Sequence, residues 1–204
     1  KEPQLMAELD KTAKNVYAVS DKVFSDIADT DTPQGILVVV DIPCGAYTPS
    51  EKDINVVIID GVSEPGNMGT VIRTAEALGF DGVYITKGSA DLYGLKTVRA
   101  TMGSVFRMKF KTECTAEDVI GLKSMGFELA ATSPCGETVM ETFKRAEKQA
   151  VIIGNEAHGV SDELLTGADS RMKITMDGMA ESLNAAVAAG IAMHWMKCCA
   201  KVRG

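Results

Sequence analysis

The chain is poor in the residues that build disulfide frameworks and zinc sites. Its 204 residues include five cysteines, an odd number without C-x-x-C spacing, and two histidines. Neither a disulfide framework nor a metal site is therefore expected, and free thiols suit a reducing cytoplasm. No apolar run reaches the roughly 18 residues that a membrane helix needs, and the opening KEPQLMAELD lacks the apolar core of a signal peptide. We expect a cytoplasmic protein without a membrane segment and, because the chain opens without Met, a piece of a longer protein.

Positive charge is also scarce. Lys and Arg number 21 against 28 Asp and Glu, which gives a net charge of −7. This balance argues against a nonspecific polyanion binder, whose affinity depends on many cationic contacts to phosphate. One segment, 87–111, is locally basic, with Asp91 as its one acidic residue. Such a segment is most often a solvated surface, and it indicates a phosphate-facing patch only if other features point to nucleic acid.

Proline, glycine and polar residues at 41–53 separate two apolar, strand-like runs. We therefore predict a linker at 42–53 between a small N-terminal segment, 1–41, and a main domain, 54–204. The N-terminal segment combines a helical pattern, a short β-prone run and a candidate buried strand, at 2–13, 16–19 and 36–40.

The main domain alternates short apolar strands with helices. The predicted strands are 56–59, 82–86, 105–110, 129–132, 150–153 and 172–174. The predicted helices are 70–78, 98–102, 115–125, a short one capped by Ser161 and a long final one that opens at Ser182. This alternation predicts an α/β fold with a mostly parallel sheet covered by helices on both faces.

Ligands of such sheets bind beyond the carboxyl ends of the strands, and three segments at these ends stand out. The first segment, residues 60–79, contains glycines and Arg73. The Arg73 side chain is equally compatible with a phosphate contact and with an ordinary helix surface. The segment lacks a G-x-G-x-x-G pattern, which disfavours a nicotinamide cofactor. Residues 152–165 place Asn155 and Glu156 after a strand, where turn residues are common. Their neighbour His158 is best interpreted as a solvated turn residue.

The third segment, 172–199, carries Ser182, for which an N-cap is the favoured interpretation when the segment is taken alone. One stripe of the following helix consists of Leu183, Val187, Gly190, Ile191, His194 and Cys198. The small residues beside this stripe permit close approach to another element or subunit. His194 on this stripe is best interpreted as a packed or interface residue. No G-x-S-x-G, H-E-x-x-H or P-loop pattern occurs in the sequence.

Together and in order, the three segments resemble the motifs of the SpoU (TrmH-type) RNA 2′-O-ribose methyltransferases of the SPOUT class. EPGNMGTVIRTAEALG is similar to the first motif, IIGNEAHGV to the second and ITMDGMAESLNAAVAAGI to the third. The resemblance covers residues 54 to about 200. Residues 1–41 are similar to the latter part of the small substrate-binding domain that often precedes this module.

The resemblance implies a deep trefoil knot, a homodimer with active sites shared between subunits, and S-adenosylmethionine as cofactor. The catalytic residues it implies are Asn67, Arg73, Glu156, Ser182 and Asn184, with Arg73 acting on the ribose hydroxyl and the others orienting Arg73 and the ribose. The cofactor-binding residues it implies are Thr132, Gly154, Ile174, Met176 and Leu183. No metal is implied.

The expected substrate is RNA. The N-terminal segment favours ribosomal RNA, and transfer RNA is an alternative. A catalytically idle RNA-binding relative and a nucleotide-dependent doubly wound protein are the competing interpretations. The missing dinucleotide fingerprint disfavours the second of these.

Overall fold

The structure is a computed structural model, and it describes residues 7–9, 11–28, 30, 32–43 and 46–201, with side chains described up to residue 198. The chain divides into two compact units, residues 1–43 and 44–204. In the first unit, residues 7–9 and 11–12 are helical and α1 (Asp21–Ile27) begins at Ser20, whose hydroxyl accepts a hydrogen bond from the Val23 N–H. Among the described residues, no helix combines the length and the apolar character that crossing a membrane requires.

The second unit contains a seven-stranded sheet in which every pair of neighbouring strands is parallel. Its strands are β1 (Asn55–Ile59), β2 (Gly82–Thr86), β3 (Phe110–Cys114), β4 (Phe127–Thr132), β5 (Thr138–Val139), β6 (Lys148–Ile153) and β7 (Ser170–Lys173). The spatial order is β3-β2-β1-β6-β4-β7-β5.

Helices cover both faces of this sheet, as the sequence predicts. The helices are α2 (Pro65–Ala77), α3 (Leu95–Ala100), α4 (Ala116–Ile120), α5 (Asp162–Gly167) and α6 (Ala185–Lys201), with 3₁₀ turns at Ser104–Phe106, Gly121–Met125 and Met140–Thr142. Successive strand side chains point to opposite faces. Val57 and Ile59 therefore join the core under α2 and α6, whereas Val56 and Ile58 join the core under α4 and α5.

Several predicted boundaries are wrong, and tertiary contacts explain why. The predicted strand 105–110 is a 3₁₀ turn followed by β3, because pairing with β2 makes a strand of the polar sequence FKTEC at the sheet edge. The predicted helix 98–102 lies at Leu95–Ala100, and helix 70–78 begins earlier, at Pro65. The helix predicted at 115–125 is α4 followed by a 3₁₀ turn, although Thr115 caps it as expected.

The structure also differs from the predictions for the N-terminal segment. Residues 36–40 form no strand and are exposed, Val39 by 87%, because no described strand pairs with them and isolated strands leave their backbone groups unsatisfied. Residues 16–19 are likewise exposed and irregular. Part of the predicted helix 2–13 lies outside the described residues. The assignment of 1–41, 42–53 and 54–204 to separate roles stays a prediction.

The predicted linker is partly built into the main unit. The Tyr47 N–H donates to the Phe110 carbonyl (2.8 Å), and the Tyr47 hydroxyl donates to Asp53 Oδ2 (2.9 Å). Burial first, and then the hydrogen bond and charge of Asp53, raise the pKa of Tyr47 above its ordinary range. Residues 46–53 thus pack on the edge of the sheet as structured chain.

Gly69 lets α2 and α3 approach closely. A Cβ at this position would lie 2.4 Å from the Ala100 Cβ and 2.8 Å from the Thr97 carbonyl oxygen. Gly69 is buried between these two helices. Its function in the fold is helix packing.

We predict that Gly69→Ala lowers the free energy of unfolding by about 1 kcal/mol or more, because overpacking costs about 1–3 kcal/mol and exceeds the gain in helix propensity. Gly121→Ala is the matched control, since its helical backbone faces open space and the change should be neutral or slightly stabilising. Urea denaturation measures both variants. Equal stability of Gly69→Ala and the wild type would contradict the packing argument.

Candidate active site

A pocket of about 520 Å³ opens at the carboxyl ends of β4, β6 and β7. All five residues predicted to bind the cofactor line it, and so do Glu156 and Ser182 from the predicted catalytic set. Asn67, Arg73 and Asn184 are outside this lining. The volume suits a molecule of nucleoside size.

The loop after β6 forms one wall of the pocket. Asn155 and Gly159 exchange two backbone hydrogen bonds of 2.9 Å each, which closes a tight turn. A Cβ on Gly154 would lie 2.1 Å from the Val160 nitrogen, so only glycine permits this close approach. His158 is exposed in the turn, as predicted, and its N–H donates to Asn155 Oδ1 (3.0 Å).

The irregular segment that follows β7 lines the same pocket. It contributes Ile174, Met176 and Leu183, which are partly buried or at the border of exposure. An apolar slot with main-chain donors and acceptors at its edges is the kind of site that takes a planar heterocycle such as adenine.

Three predicted catalytic residues form a continuous chain of hydrogen bonds between the three motif segments. Asn184 Nδ2 donates to Asn67 Oδ1 (2.9 Å), and Asn67 Nδ2 donates to Glu156 Oε1 (2.8 Å). Each amide has one donor and one acceptor group in use, which fixes its orientation. The chain therefore ties the beginning of α6, the first turn of α2 and the loop after β6 into one unit.

The Glu156 carboxylate is a hydrogen-bond acceptor for the loop after β1 as well. Its Oε2 accepts from the Ser63 N–H (3.2 Å) and the Ser63 hydroxyl (3.3 Å), and its Oε1 accepts from the Glu64 N–H (3.4 Å). Desolvation raises the pKa of Glu156, but the hydrogen bonds from Asn67 and from backbone N–H groups outweigh it and hold this pKa below its usual range. Glu156 is therefore an ionised acceptor that positions its neighbours.

Ser182 is not the helix cap that the sequence favours. Helix α6 begins at Ala185, and Asn184 Oδ1 accepts from the N–H groups of Ala186 (2.9 Å) and Val187 (3.3 Å). Asn184 lies next to the first helical residue and thus takes the capping position, whereas Ser182 remains in the irregular segment. Its exposed side chain faces the pocket region.

Arg73 stands apart from this network. Its side chain is exposed on α2 and makes no hydrogen bond or ion pair with any residue in the described ranges. The resemblance implies that Asn67, Glu156, Ser182 and Asn184 orient Arg73. Within the described chain Asn67, Glu156 and Asn184 hydrogen-bond to other partners, and Arg73 is not among the residues that line the pocket.

Two polar residues outside the predicted catalytic and cofactor-binding sets also position the site. Asp60 follows β1 and accepts from the Ser161 N–H (2.7 Å) and the Thr86 hydroxyl (2.9 Å). Asn155 was noted as a turn residue, but its Nδ2 also donates to the Gly61 carbonyl across the sheet edge (2.7 Å). Asp60 is the first residue after β1, and Asn155 is the second residue after β6. A polar residue just past a buried strand is the sequence signal that could have identified both. In the described part of the chain, no group of His, Cys, Asp and Glu side chains is arranged to hold a metal ion.

Comparison with known proteins identifies the family. The model of the SpoU rRNA Methylase family matches residues 54–194. The chain belongs to this family. It is 35% identical over 187 residues to the 23S rRNA (guanosine(2553)-2′-O)-methyltransferase RlmP of Bacillus subtilis, covering 92% of this chain and 74% of the relative.

Two further proteins are similar to this chain. The chain is 32% identical over 167 residues to the 23S rRNA (uridine(2479)-2′-O)-methyltransferase of Streptomyces viridochromogenes, covering 78% of this chain and 58% of that protein, less than two thirds. The AdoMet-bound rRNA methyltransferase from Sinorhizobium meliloti superposes with a TM-score of 0.86 at 31% identity, covering 96% of this chain and 76% of that one.

We predict that Glu156→Gln makes stability less sensitive to acid. A carboxylate with a lowered pKa stabilises the native state above its unfolded-state pKa of about 4.3. That contribution disappears as the pH falls through the lowered folded-state pKa. The fall in the urea midpoint between pH 7 and pH 3 should therefore be smaller in Glu156→Gln than in the wild type.

The matched control for this prediction is Glu181→Gln, because Glu181 also lines the pocket but makes no hydrogen bond with a described residue. Its acid sensitivity should follow that of the wild type. If both variants lose stability in parallel with the wild type, the Glu156 network does not contribute as argued.

Proposed function

We propose that this chain is an S-adenosylmethionine-dependent RNA 2′-O-ribose methyltransferase that acts on ribosomal RNA. The observation that carries the proposal is that the second and third family motifs line one pocket, and that the Asn184–Asn67–Glu156 hydrogen bonds tie the first motif to both of them. The two sequence relatives cited above are named for 2′-O-methylation of 23S rRNA. A transfer RNA substrate is the second candidate, because another structural neighbour at 25% identity concerns 2-OH methylation of tRNA.

The pocket residues fit the proposed cofactor. We assign the adenine to the slot between the Ile174, Met176 and Leu183 side chains and the backbone around Gly154, with Thr132 at the base. Thr132 Oγ1 donates to the Ile152 carbonyl (2.9 Å), which holds this corner in place. S-adenosylmethionine supplies, when bound, a methyl group on a positively charged sulfur.

The ribose 2′-hydroxyl is the proposed nucleophile. Its oxygen would form a bond to the methyl carbon as the bond between that carbon and the sulfur breaks, with the sulfur keeping the electron pair as a neutral thioether, and the hydroxyl proton must leave. Free guanidinium stays protonated, so Arg73 is a poor base by itself. We assign to Arg73 the binding of the RNA phosphate beside the reacting ribose, with a phosphate oxygen sharing in removal of the proton. Ser182 and Asn184, at the mouth of the site, are proposed to orient the ribose.

The proposal includes a homodimer in which Arg73 serves the pocket of the partner subunit. Arg73 is exposed and unpartnered within the described chain, and it does not line its own pocket. Helix α6, which lies beside α2, exposes Val187 by 51% and Ile191 by 39% on one stripe. A two-fold contact through this stripe would bury it on both subunits.

Two further parts of the proposal come from the family alone. We propose a trefoil knot formed by the segments around β6 and β7, which suits the position of β6 between β1 and β4 and of β7 between β4 and β5. We also propose a cytoplasmic location, where ribosomal RNA is found.

The first test is cofactor binding and transfer. Calorimetry should show one S-adenosylmethionine per chain, and ligand at a hundredfold over its dissociation constant should stabilise the fold by about 2.7 kcal/mol. Incubation with tritiated cofactor and unmodified 23S rRNA should label one ribose, whereas transfer RNA should stay unlabelled. Binding without transfer to either RNA would favour an idle relative.

A matched pair of variants locates the cofactor. Met176 lines the pocket, and Met179, three residues along the same segment, is fully exposed. Met176→Asp should weaken cofactor binding at least tenfold, because it puts a carboxylate in the apolar slot. Met179→Asp should bind as the wild type does, and equal binding by both variants would contradict the assignment.

Subunit mixing tests the shared site. Arg73→Ala should bind cofactor normally and transfer no methyl group, because the side chain acts on RNA. The double variant Glu156→Ala, Ser182→Ala should also be inactive. Heterodimers reassembled from the Arg73→Ala protein and the double variant, verified by differential tags, should recover a fraction of the activity, since one composite site would be intact. Heterodimers as inactive as their parents would show that Arg73 acts within its own subunit.

A further inference from the structure

Residues 95–107 carry an unusual group of exposed apolar side chains. Leu95 is 57% exposed, Met102 68% and Phe106 70%. The segment consists of α3, a turn and the 3₁₀ turn Ser104–Phe106. Large apolar side chains grouped on a surface mark a site that binds something. We call residues 95–107 the exposed segment.

The exposed segment is also basic. Lys96 and Arg99 are exposed on α3 between Leu95 and Met102. Arg107 forms a bidentate ion pair with Glu76 through Nε (2.9 Å) and Nη2 (3.2 Å). In a chain of net charge −7, a surface with two exposed cations and an exposed aromatic ring is complementary to a polyanion with flat bases.

The structure places the exposed segment beside Arg73. It packs on α2 at two points, Ala100 against Gly69 and Arg107 with Glu76. Gly69 precedes Arg73 by one helical turn, and Glu76 follows it by slightly less than one turn. The exposed Arg73 therefore lies on α2 between the two positions that hold the segment.

Lys109 and Lys111, at the far end of the segment 87–111, have partners within the fold. Lys111 pairs with Asp118 at 2.7 Å and lies over the Tyr84 ring, and Lys109 lies over the Tyr47 ring. The part of the locally basic segment that packs against α2, the helix that carries Arg73, is the part around α3.

We propose that the exposed segment binds an unpaired stretch of the RNA substrate, with Phe106 stacked on a base and Lys96 and Arg99 against phosphates. This inference rests on the proposed function and names the surface that would hold the strand near the reacting ribose. Proteins read unpaired RNA by stacking bases on exposed aromatic rings beside cationic side chains. The alternative occupant, a second copy of the chain, is an outcome of the test below.

The test compares Phe106→Leu with Phe106→Trp. Leucine keeps an apolar side chain but removes the flat ring, whereas tryptophan keeps a stacking surface. Binding of unmodified 23S rRNA transcript, measured by filter binding at fixed salt, should weaken about tenfold in Phe106→Leu and stay near wild type in Phe106→Trp. Cofactor affinity by calorimetry and molecular mass by light scattering should be unchanged in both.

Lys96→Ala gives an independent test if Phe106 variants fold poorly. It should lower the slope of log binding constant against log salt by about one, as loss of a phosphate contact does. Wild-type RNA binding by Phe106→Leu, or an unchanged salt slope in Lys96→Ala, would overturn the proposal. A fall in molecular mass for Phe106→Leu would assign the segment to a subunit contact and overturn it as well.

These outcomes separate this inference from the proposed function. If the wild type transfers methyl groups and Phe106→Leu binds RNA equally well, only the inference fails. If the wild type transfers none, yet Phe106→Leu loses RNA binding and Phe106→Trp keeps it, the proposed function fails and the surface assignment stands.

Discussion

The position of strand β6 between β1 and β4 is the constraint on which the site depends. Ile59 is in register with Ile153 of β6, and Ala131 of β4 is in register with Ile152, so the three strands end at nearly the same level. The Asp60 N–H then donates to the Ile153 carbonyl (2.8 Å), which continues the pairing into the loops. Segments far apart in the sequence therefore leave the sheet side by side, and their polar side chains meet without further adjustment.

Hydrogen bonding at this edge gives Glu156 a positioning role. The carboxylate accepts from Asn67 and from the loop after β1, and these bonds lower its pKa and keep it ionised near neutral pH. An ionised carboxylate with its oxygens already occupied is poorly suited to proton transfer. It is well suited to holding Asn67 and, through it, Asn184 at the start of α6. In the proposed reaction the proton of the ribose hydroxyl must therefore pass to another group, which agrees with the proposal that Arg73 and an RNA phosphate lie beside the ribose.

Helix α2 connects the cofactor side of the proposed site with its RNA side. Its first turn carries Asn67 in the hydrogen-bonded chain, and its middle carries the exposed Arg73 between the two contacts to the exposed segment. Gly69 permits this arrangement because any side chain there would push α3 away. The packing of one helix thus sets the distance between the residues that face the pocket and the surface proposed to hold RNA.

The sequence by itself determined the parallel α/β sheet, the helices on both faces and the three segments that form the site. Each follows from local information: runs of β-branched residues, turn residues after strands, and motif residues in a fixed order. Only the tertiary structure decided that 110–114 is a strand and that Gly69 serves packing, because each depends on a partner distant in the sequence. It also decided that Asn184 and not Ser182 caps α6: the cap itself is local, but the hydrogen bond to the distant Asn67 fixes the Asn184 side chain. The position of Arg73 is a further example: its place in the motif could not indicate that it lies outside the pocket lining of its own chain. The spacing of apolar and polar residues indicates whether a segment is a helix or a strand and which of its faces is buried. It does not indicate which other helices and strands that segment will contact in the folded chain.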